Sequence, residues 1–349
     1  MDNYQIGMKA LNRLKKVIKD FPFASDVDRS VVLAAMVLAV QRPTLPTAPI
    51  IAFTATTPAS GKTLLMTGIA SLTNGLSPAV HGFKPNEDEF SKVLMSVMMQ
   101  CEPYLLIDNV KLGVVLESEG LCTISTSGKF AGRVLGFSKW LTVSTQLLIF
   151  VTGNNLRIGN DLTRRTLMCR LDPKTERPEL REFERNFLEI CMTDREAIVT
   201  DVLSILSAYH AAGRPEVNNV RLGSFETFCD DICKPLVWLG EPDPVLGLAK
   251  ADADAGVGGL SELMVLWNDE IKHETMTAAA LIDSKCCPNV LAFFQAEFGE
   301  NVGMYGKTTI NARKVGNYLS KYAGRVIDGR CLTVAGTSHK AKLWQLQLV

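Results

Sequence analysis

Between a short apolar run and an apolar helical stretch lies Thr56-Thr57-Pro58-Ala59-Ser60-Gly61-Lys62-Thr63. Backbone N–H groups at such a turn point inward and, with the N-terminus of the helix that follows, form a cradle for an anion. In the matching glycine-lysine-threonine pattern the lysine reaches the β- and γ-phosphates of a nucleotide and the hydroxyl ligates magnesium. Lys62 and Thr63 suit those two roles, with Thr57, Pro58, Ala59, Ser60, Gly61 and Leu64 around the phosphates. Thr56 departs from the pattern, which has its first glycine there. Chance produces Gly-Lys-Thr often, so the flanking strand and helix carry the weight.

A phosphate site of this kind needs a second magnesium anchor at the end of a neighbouring strand. Tyr104-Leu105-Leu106-Ile107-Asp108-Asn109 offers one, with Asp108 placed 46 residues after Lys62. A helix cap or turn is the plainer role for such an acid. Asn109 follows where many such sites carry a glutamate that polarises the attacking water; an amide orients water but takes no proton. A third run, Leu147–Thr152, ends in Gly153-Asn154-Asn155. Asn154 is placed to hold water or the γ-phosphate, although Gly-Asn-Asn also suits an ordinary turn. Asp161-Leu162-Thr163-Arg164-Arg165 comes next, and a planar, permanently charged guanidinium suits insertion into a neighbouring subunit's site. Salt-bridged surface is the alternative for that pair.

Gly132–Leu141 reads as a hairpin with a Gly-Phe-Ser-Lys tip. Arg133 and Lys139, mixed with aromatic residues, suit a nucleic-acid backbone, and a structural hairpin with a solvent-facing lysine fits equally. Net charge is zero, but residues 300–349 hold eight of the 37 basic residues and two of the 37 acidic ones. A basic tail on a slightly acidic body points to an anionic partner or to plain solvated surface.

The elements that must position these groups are readable from periodicity. Residues 1–20 form an amphipathic pattern with Leu11, Leu14 and Ile18 on one face, and Asp26 is the expected cap of a helix running to about Gln41. Ile50–Thr54, Tyr104–Ile107 and Leu147–Thr152 are apolar without alternation, as buried parallel strands are. Strands alternating with helical stretches predict a doubly wound sheet. Residues 173–250 read as helical throughout, and Val245–Gly259 as a linker. A helix over Asn311–Ala323 precedes strands at Arg325–Asp328, Arg330–Val334 and Leu343–Leu348, with Asp328-Gly329 as a hairpin turn.

The chain has 349 residues, 47% hydrophobic and 21% charged, which suits a folded protein of two or three domains and excludes a disordered one. No leader pattern opens it, and its longest apolar runs are about half a membrane span, so the expected location is cytoplasmic, with no membrane partner. Nine cysteines, odd in number and scattered, predict reduced thiols; Cys229, Cys233, Cys286 and Cys287 lack the paired ligands of a zinc site.

Taken in order, Gly61-Lys62-Thr63, Asp108-Asn109, Thr152-Gly153-Asn154-Asn155 and Asp161–Arg165 resemble the AAA+ ATPase core. More narrowly they look like the helicase part of phage and mobile-element primase-helicase proteins, related in style to superfamily 3 and MCM helicases. The resemblance spans roughly residues 20–240. It implies a parallel-sheet three-layer sandwich, with an N-terminal helix at 1–24, the ATPase core at 25–172, a helical region at 173–250 and a winged-helix-like domain at 260–349. It casts Asp108 as the Walker B acid, Asn154 as sensor 1, Arg164 or Arg165 as the arginine finger, and Arg133–Trp140 as a hairpin that contacts DNA, joined in the C-terminal module by Lys340 and Lys342. ATP and magnesium are the implied cofactors; DNA, further copies in a hexameric ring and a primase or other replication protein are the implied partners. The expected function is an ATP-driven DNA translocase or helicase. A nucleotide-switched DNA-binding or loader protein is the alternative, favoured by Asn109, and a P-loop small-molecule kinase is the third.

Overall fold

The computed structural model describes residues 2–57, 59–133, 140–174, 186–249, 260, 263–272, 274–282, 287–298, 310–324, 326–327, 329–338 and 341–348. It divides into two compact units, Met1–Asp252 and Ala253–Val349.

In the first unit, α1 (Asn3–Val17) buries Leu11 and Leu14, with Ile18 buried just beyond its end. Helix α2 (Asp26–Gln41) is apolar nearly all round and correspondingly buried. Its cap is Ser25 and not Asp26: Ser25 Oγ accepts from the Asp28 amide at 3.2 Å, while Asp26 and Asp28 lie in the first turn, favourably placed against the helix dipole. Strand β1 (Ile50–Ala55) leads to α3 (Lys62–Ser71), and β2 (His81–Gly82) to α4 (Glu87–Met99). Then come β3 (Tyr104–Val110), β4 (Val115–Leu116), α5 (Glu119–Thr126) and the hairpin strands β5 (Lys129–Arg133) and β6 (Trp140–Ser144). Strands β7 (Leu148–Asn154), β8 (Arg157–Ile158) and β9 (Thr166–Leu171) close this part of the chain.

The central sheet has the order β2-β3-β7-β1-β9, with every neighbouring pair parallel. The non-alternating runs are therefore buried on both faces, as such strands require. One face packs Phe53, Leu106, Leu148 and Phe150 against α2 and the Leu65, Met66 and Ile69 side of α3. The other packs Leu105, Ile107, Ile149 and Val151 against α4 and α5. Strand β9 escapes the sequence reading because it starts directly after Arg164-Arg165 with no turn residue to announce it.

Helices α6 (Phe187–Thr193) and α7 (Arg195–Ala211) follow. Phe187 lies where a Cβ on Gly68 would fall 2.4 Å from its ring, so α6 and α3 approach each other at a glycine. The 173–250 region is not helical throughout. Helix α7 ends in a Schellman motif, in which Gly213 N–H donates to His210 O at 2.9 Å and Arg214 N–H to Tyr209 O at 3.0 Å. Pro215 then prevents a restart, and helix returns at Glu226–Phe228, a π-turn at Cys229–Cys233, Lys234–Trp238 and a 3₁₀ turn at Pro244–Gly247. Residues 250–259 of the expected linker lie outside the described residues, and its start is structured: Leu248 bridges Leu167, and Ala249 N–H donates to Thr166 O at 2.7 Å, so both residues extend the sheet edge at β9.

The second unit has helices at Pro288–Phe298 and Ala312–Tyr322, the latter capped by Asn311 Oδ1, which accepts from Arg313 N–H at 2.8 Å. Strands β10 (Met276–Thr277), β11 (Val326–Ile327), β12 (Arg330–Ser338) and β13 (Ala341–Leu348) form an antiparallel sheet ordered β10-β13-β12-β11. Trp267, Phe294, Leu319 and Trp344 are buried together in its core. Ile327 pairs with Arg330 across a two-residue turn in which Gly329 has φ 71°, the left-handed backbone such a hairpin needs.

Candidate functional site

Period-two alternation builds the site. Leu106 on β3 and Phe150 on β7 face α3, so Asp108, Thr152 and Asn154, two and four residues further on, emerge on that same face as the strands leave the core. Strand β7 lies between β1 and β3 and carries its polar tip into the gap between the Thr56–Thr63 loop and Asp108. Asn154 pairs with Ala55, the last residue of β1. Two hydrogen bonds fasten the turn after β7 to that strand: Asn155 N–H donates to Ala55 O at 2.9 Å and Leu156 N–H to Thr54 Oγ1 at 3.0 Å.

The β3 tip is a bulge. Ile107 pairs with Val151 and Val110 with Gly153, so Asp108 and Asn109 together oppose the single residue Thr152. Asn109 has φ 56°, in the left-handed region where asparagine is one of the few non-glycine residues commonly found, and its side chain is exposed. Thr152, 1% exposed, spans the bulge: its Oγ1 accepts from Asn109 N–H at 2.9 Å and donates to Asp108 Oδ1 at 2.5 Å. The same Asp108 oxygen accepts from Thr63 Oγ1 at 2.8 Å. The first turn of α3 and the tip of β3 are thus joined through a hydroxyl and a carboxylate.

Within the loop, Ala59 and Gly61 have φ 54° and 94°. Gly61 needs its bare Cα twice over, since a Cβ there would also lie 3.2 Å from the Phe21 ring. Phe21 borders an open cavity of about 500 Å³ together with Lys15, Phe23 and Arg29. Lys62 is buried, and its ammonium donates to Ser60 Oγ at 2.7 Å and Thr57 O at 3.2 Å. Burial lowers its pKa below the ordinary 10.5, opposed by the Asp108 carboxylate. Thr57 Oγ1 and Asn154 Oδ1 are both buried with no hydrogen-bond partner. Buried polar atoms are rarely left so, and two of them flanking one loop mark where a polar ligand would complete the set. The hard oxygens of Thr63 and Asp108 suit a magnesium ion, and the inward N–H groups at the start of α3 suit phosphate.

The two arginines part company. Both belong to a 3₁₀ turn, Asn160–Arg165, just before β9. Arg164 is 64% exposed and pairs with Asp161 at 3.2 Å. Arg165 is 15% exposed, lies 3.9 Å from the same carboxylate, buries its Nε and lies near Cys122 on α5. Strands β5 and β6 pair from Lys129 with Ser144 to Arg133 with Trp140, and Trp140 is 70% exposed. The hairpin tip with Lys139, the Arg133 side chain, Pro58 and Lys340 lie outside the described residues. Lys342 sits in the other unit, 5.6 Å from the Trp344 ring, and donates to Ser320 Oγ at 3.2 Å.

Sequence reasoning assigned no role to Thr152. Its place two residues before Asn154 puts it on the same strand face, which periodicity reveals; the bulge that makes it a bridge leaves no sequence signal.

No family model matches the chain, and no curated protein matches it either. Among solved structures it is similar to the A-form apo structure of the NrS-1 C-terminal region (residues 305–718), at 10% identity and a TM-score of 0.39, over 92% of this chain and 75% of that one. A likeness this slight settles neither fold nor function. Among the described residues no helix is long and apolar enough to cross a membrane.

Proposed function

We propose that the chain is an ATPase of the AAA+ type that couples nucleotide hydrolysis to movement along DNA in a ring of like subunits. The observation that carries this reading is the Thr63–Asp108 hydrogen bond at 2.8 Å, which joins the hydroxyl of a glycine-lysine-threonine turn to an acid at the tip of a parallel strand. Lys62 would leave Thr57 and Ser60 to hold the β- and γ-phosphates, while the α3 N-terminus receives the anion. Thr63 and Asp108 would hold a magnesium ion, which would neutralise charge on the phosphate oxygens. Asn154, with its unpartnered oxygen beside β1, would orient the attacking water. Phe21, close to Gly61, and Phe23 would offer rings for the base to pack on, in a cavity also lined by Lys15, Asp26 and Arg29. Arg164, 64% exposed, is the better finger for a neighbouring copy, since Arg165 is mostly buried within its own subunit.

The DNA-facing part of the proposal rests on the β5–β6 hairpin with exposed Trp140 and on the second unit, whose last 50 residues are basic and whose helices and sheet suit a winged-helix-like module. The test is ATP hydrolysis with and without single-stranded DNA. Stimulation by DNA, abolished by Lys62→Ala, supports the motor; failure of the wild-type chain to take up ATP at millimolar concentration overturns it.

Asn109 favours a second reading, a nucleotide-switched DNA-binding or loader protein. Its exposed amide replaces a carboxylate that would accept a proton. Tight ATP-dependent DNA binding without strand separation distinguishes that case.

A further inference from the structure

We propose that Thr152 is a positioning residue for the magnesium-binding carboxylate, acting by holding the β3 bulge in the shape that aims Asp108 at Thr63; this rests on the nucleotide-site reading above. Three facts converge on it. Between β3 and β7 the register skips a residue only where Asp108 and Asn109 oppose Thr152. The Thr152 hydroxyl accepts the Asn109 N–H that the bulge frees from the ladder and donates to Asp108 Oδ1. It does so from a buried position, Thr152 being 1% exposed.

The chemistry follows from donor and acceptor counts. A carboxylate at the end of a strand rotates freely about its side-chain torsions unless something fixes it. A hydroxyl bonded on both sides fixes the carboxylate and the backbone together, so the acid meets a cation without first losing rotamer freedom. Valine has the same shape but offers neither bond. It would leave the Asn109 N–H unsatisfied and Asp108 held by Thr63 alone, the very group that must turn to the metal. Serine keeps the hydroxyl and loses only a methyl group.

The experiment titrates magnesium into the full chain at fixed ATP and reads nucleotide uptake with a fluorescent ATP analogue, so no turnover is needed. Outer-shell partners of metal ligands are typically worth about 10- to 100-fold in metal affinity. Thr152→Val is therefore expected to raise the half-saturating magnesium concentration by about that factor, while uptake in EDTA stays at the wild-type level. Thr152→Ser is expected to restore the wild-type value. If the valine variant does not fold, Thr152→Ala against Thr152→Ser makes the same comparison. A valine or alanine variant with wild-type magnesium demand overturns the assignment, as does a serine variant no better than either. Should wild type show no uptake in either buffer, the nucleotide site itself is refuted. Magnesium-dependent uptake in wild type, matched by valine, refutes Thr152 alone.

Discussion

The backbone at Asn109 makes a prediction that separates shape from chemistry. Its φ of 56° is comfortable for asparagine and for glycine and poor for a β-branched residue. Left-handed backbone costs an ordinary L-residue roughly 1–2 kcal/mol, whereas glycine adopts it freely and loses about 0.5–1 kcal/mol through the unfolded chain. Asn109→Gly should therefore change stability by less than about 1 kcal/mol. Asn109→Val should cost about 1–2 kcal/mol, a shift of roughly 0.5–1 M in the urea midpoint at a slope of about 2 kcal/mol/M.

The same two variants interrogate hydrolysis. Because the Asn109 side chain is exposed and its N–H is what Thr152 binds, the glycine variant keeps the bulge and the aim of Asp108. Its ATPase rate should stay within about threefold of wild type, since no general base is being removed; a true one is worth about 10²–10⁴. The valine variant should lose rate together with magnesium affinity as the bulge distorts. Urea unfolding and steady-state ATPase across a magnesium series measure both. A glycine variant that folds as stably as wild type, binds magnesium as well, and yet hydrolyses 10²-fold more slowly refutes the reasoning and returns the amide to the chemistry.

Other expectations follow from the same geometry. If Lys62 holds phosphate as proposed, it must carry its proton to do so, and burial lowers its pKa in the free protein; ATP affinity should accordingly decline on the alkaline side before pH 10.5, by about tenfold per pH unit beyond the lowered value, and calorimetry across pH 7–10.5 reads the onset. Arg164→Ala subunits should lose ATPase but regain part of it when mixed with Lys62→Ala subunits, whereas Arg165→Ala should also lower stability, because that side chain is mostly buried beside Cys122; a mixture that stays inactive argues against a shared site. Arg42, fully buried, donates to the carbonyls of Leu45, Leu147 and Thr145 at 2.7, 2.9 and 2.9 Å, and burial lowers its pKa to about 10. Arg42→Met strands three carbonyls and should cost about 3–5 kcal/mol in urea unfolding, with a loss under 1 kcal/mol counting against that account.

What the sequence made legible was local. The turn around Gly61, the acid ending Tyr104–Ile107 and the asparagines after Leu147–Thr152 all stand where a two-residue or 3.6-residue period meets a polar residue. Strand order left no such mark: nothing in Leu148–Asn154 says that it lies between β1 and β3. Ser25 took the cap expected of Asp26 because serine and aspartate are nearly equal at that position and only backbone geometry decides. The helical reading of 173–250 overrode Gly213-Arg214-Pro215, a stop signal in plain view. Arg164 and Arg165 are adjacent and chemically identical, and only burial tells them apart.

The insertion of β7 between the other two strands gives the site its economy of parts. One strand tip serves two neighbours, Asn154 beside the end of β1 and Thr152 against the bulge of β3, because residues two apart share a face. The same face, four residues deeper, is Leu148 and Phe150 packed beneath α3, so the depth of α3 and the reach of Thr152 are set by one packing layer. A change that shortened the core there, such as Phe150→Leu, would lower α3 toward the sheet and alter the Thr63–Asp108 approach without touching either residue. Interiors packed to crystal-like density transmit such changes and do not absorb them. The polar site is thus the outer continuation of the hydrophobic core, and its geometry is held by the same alternation that buries the rest of each strand.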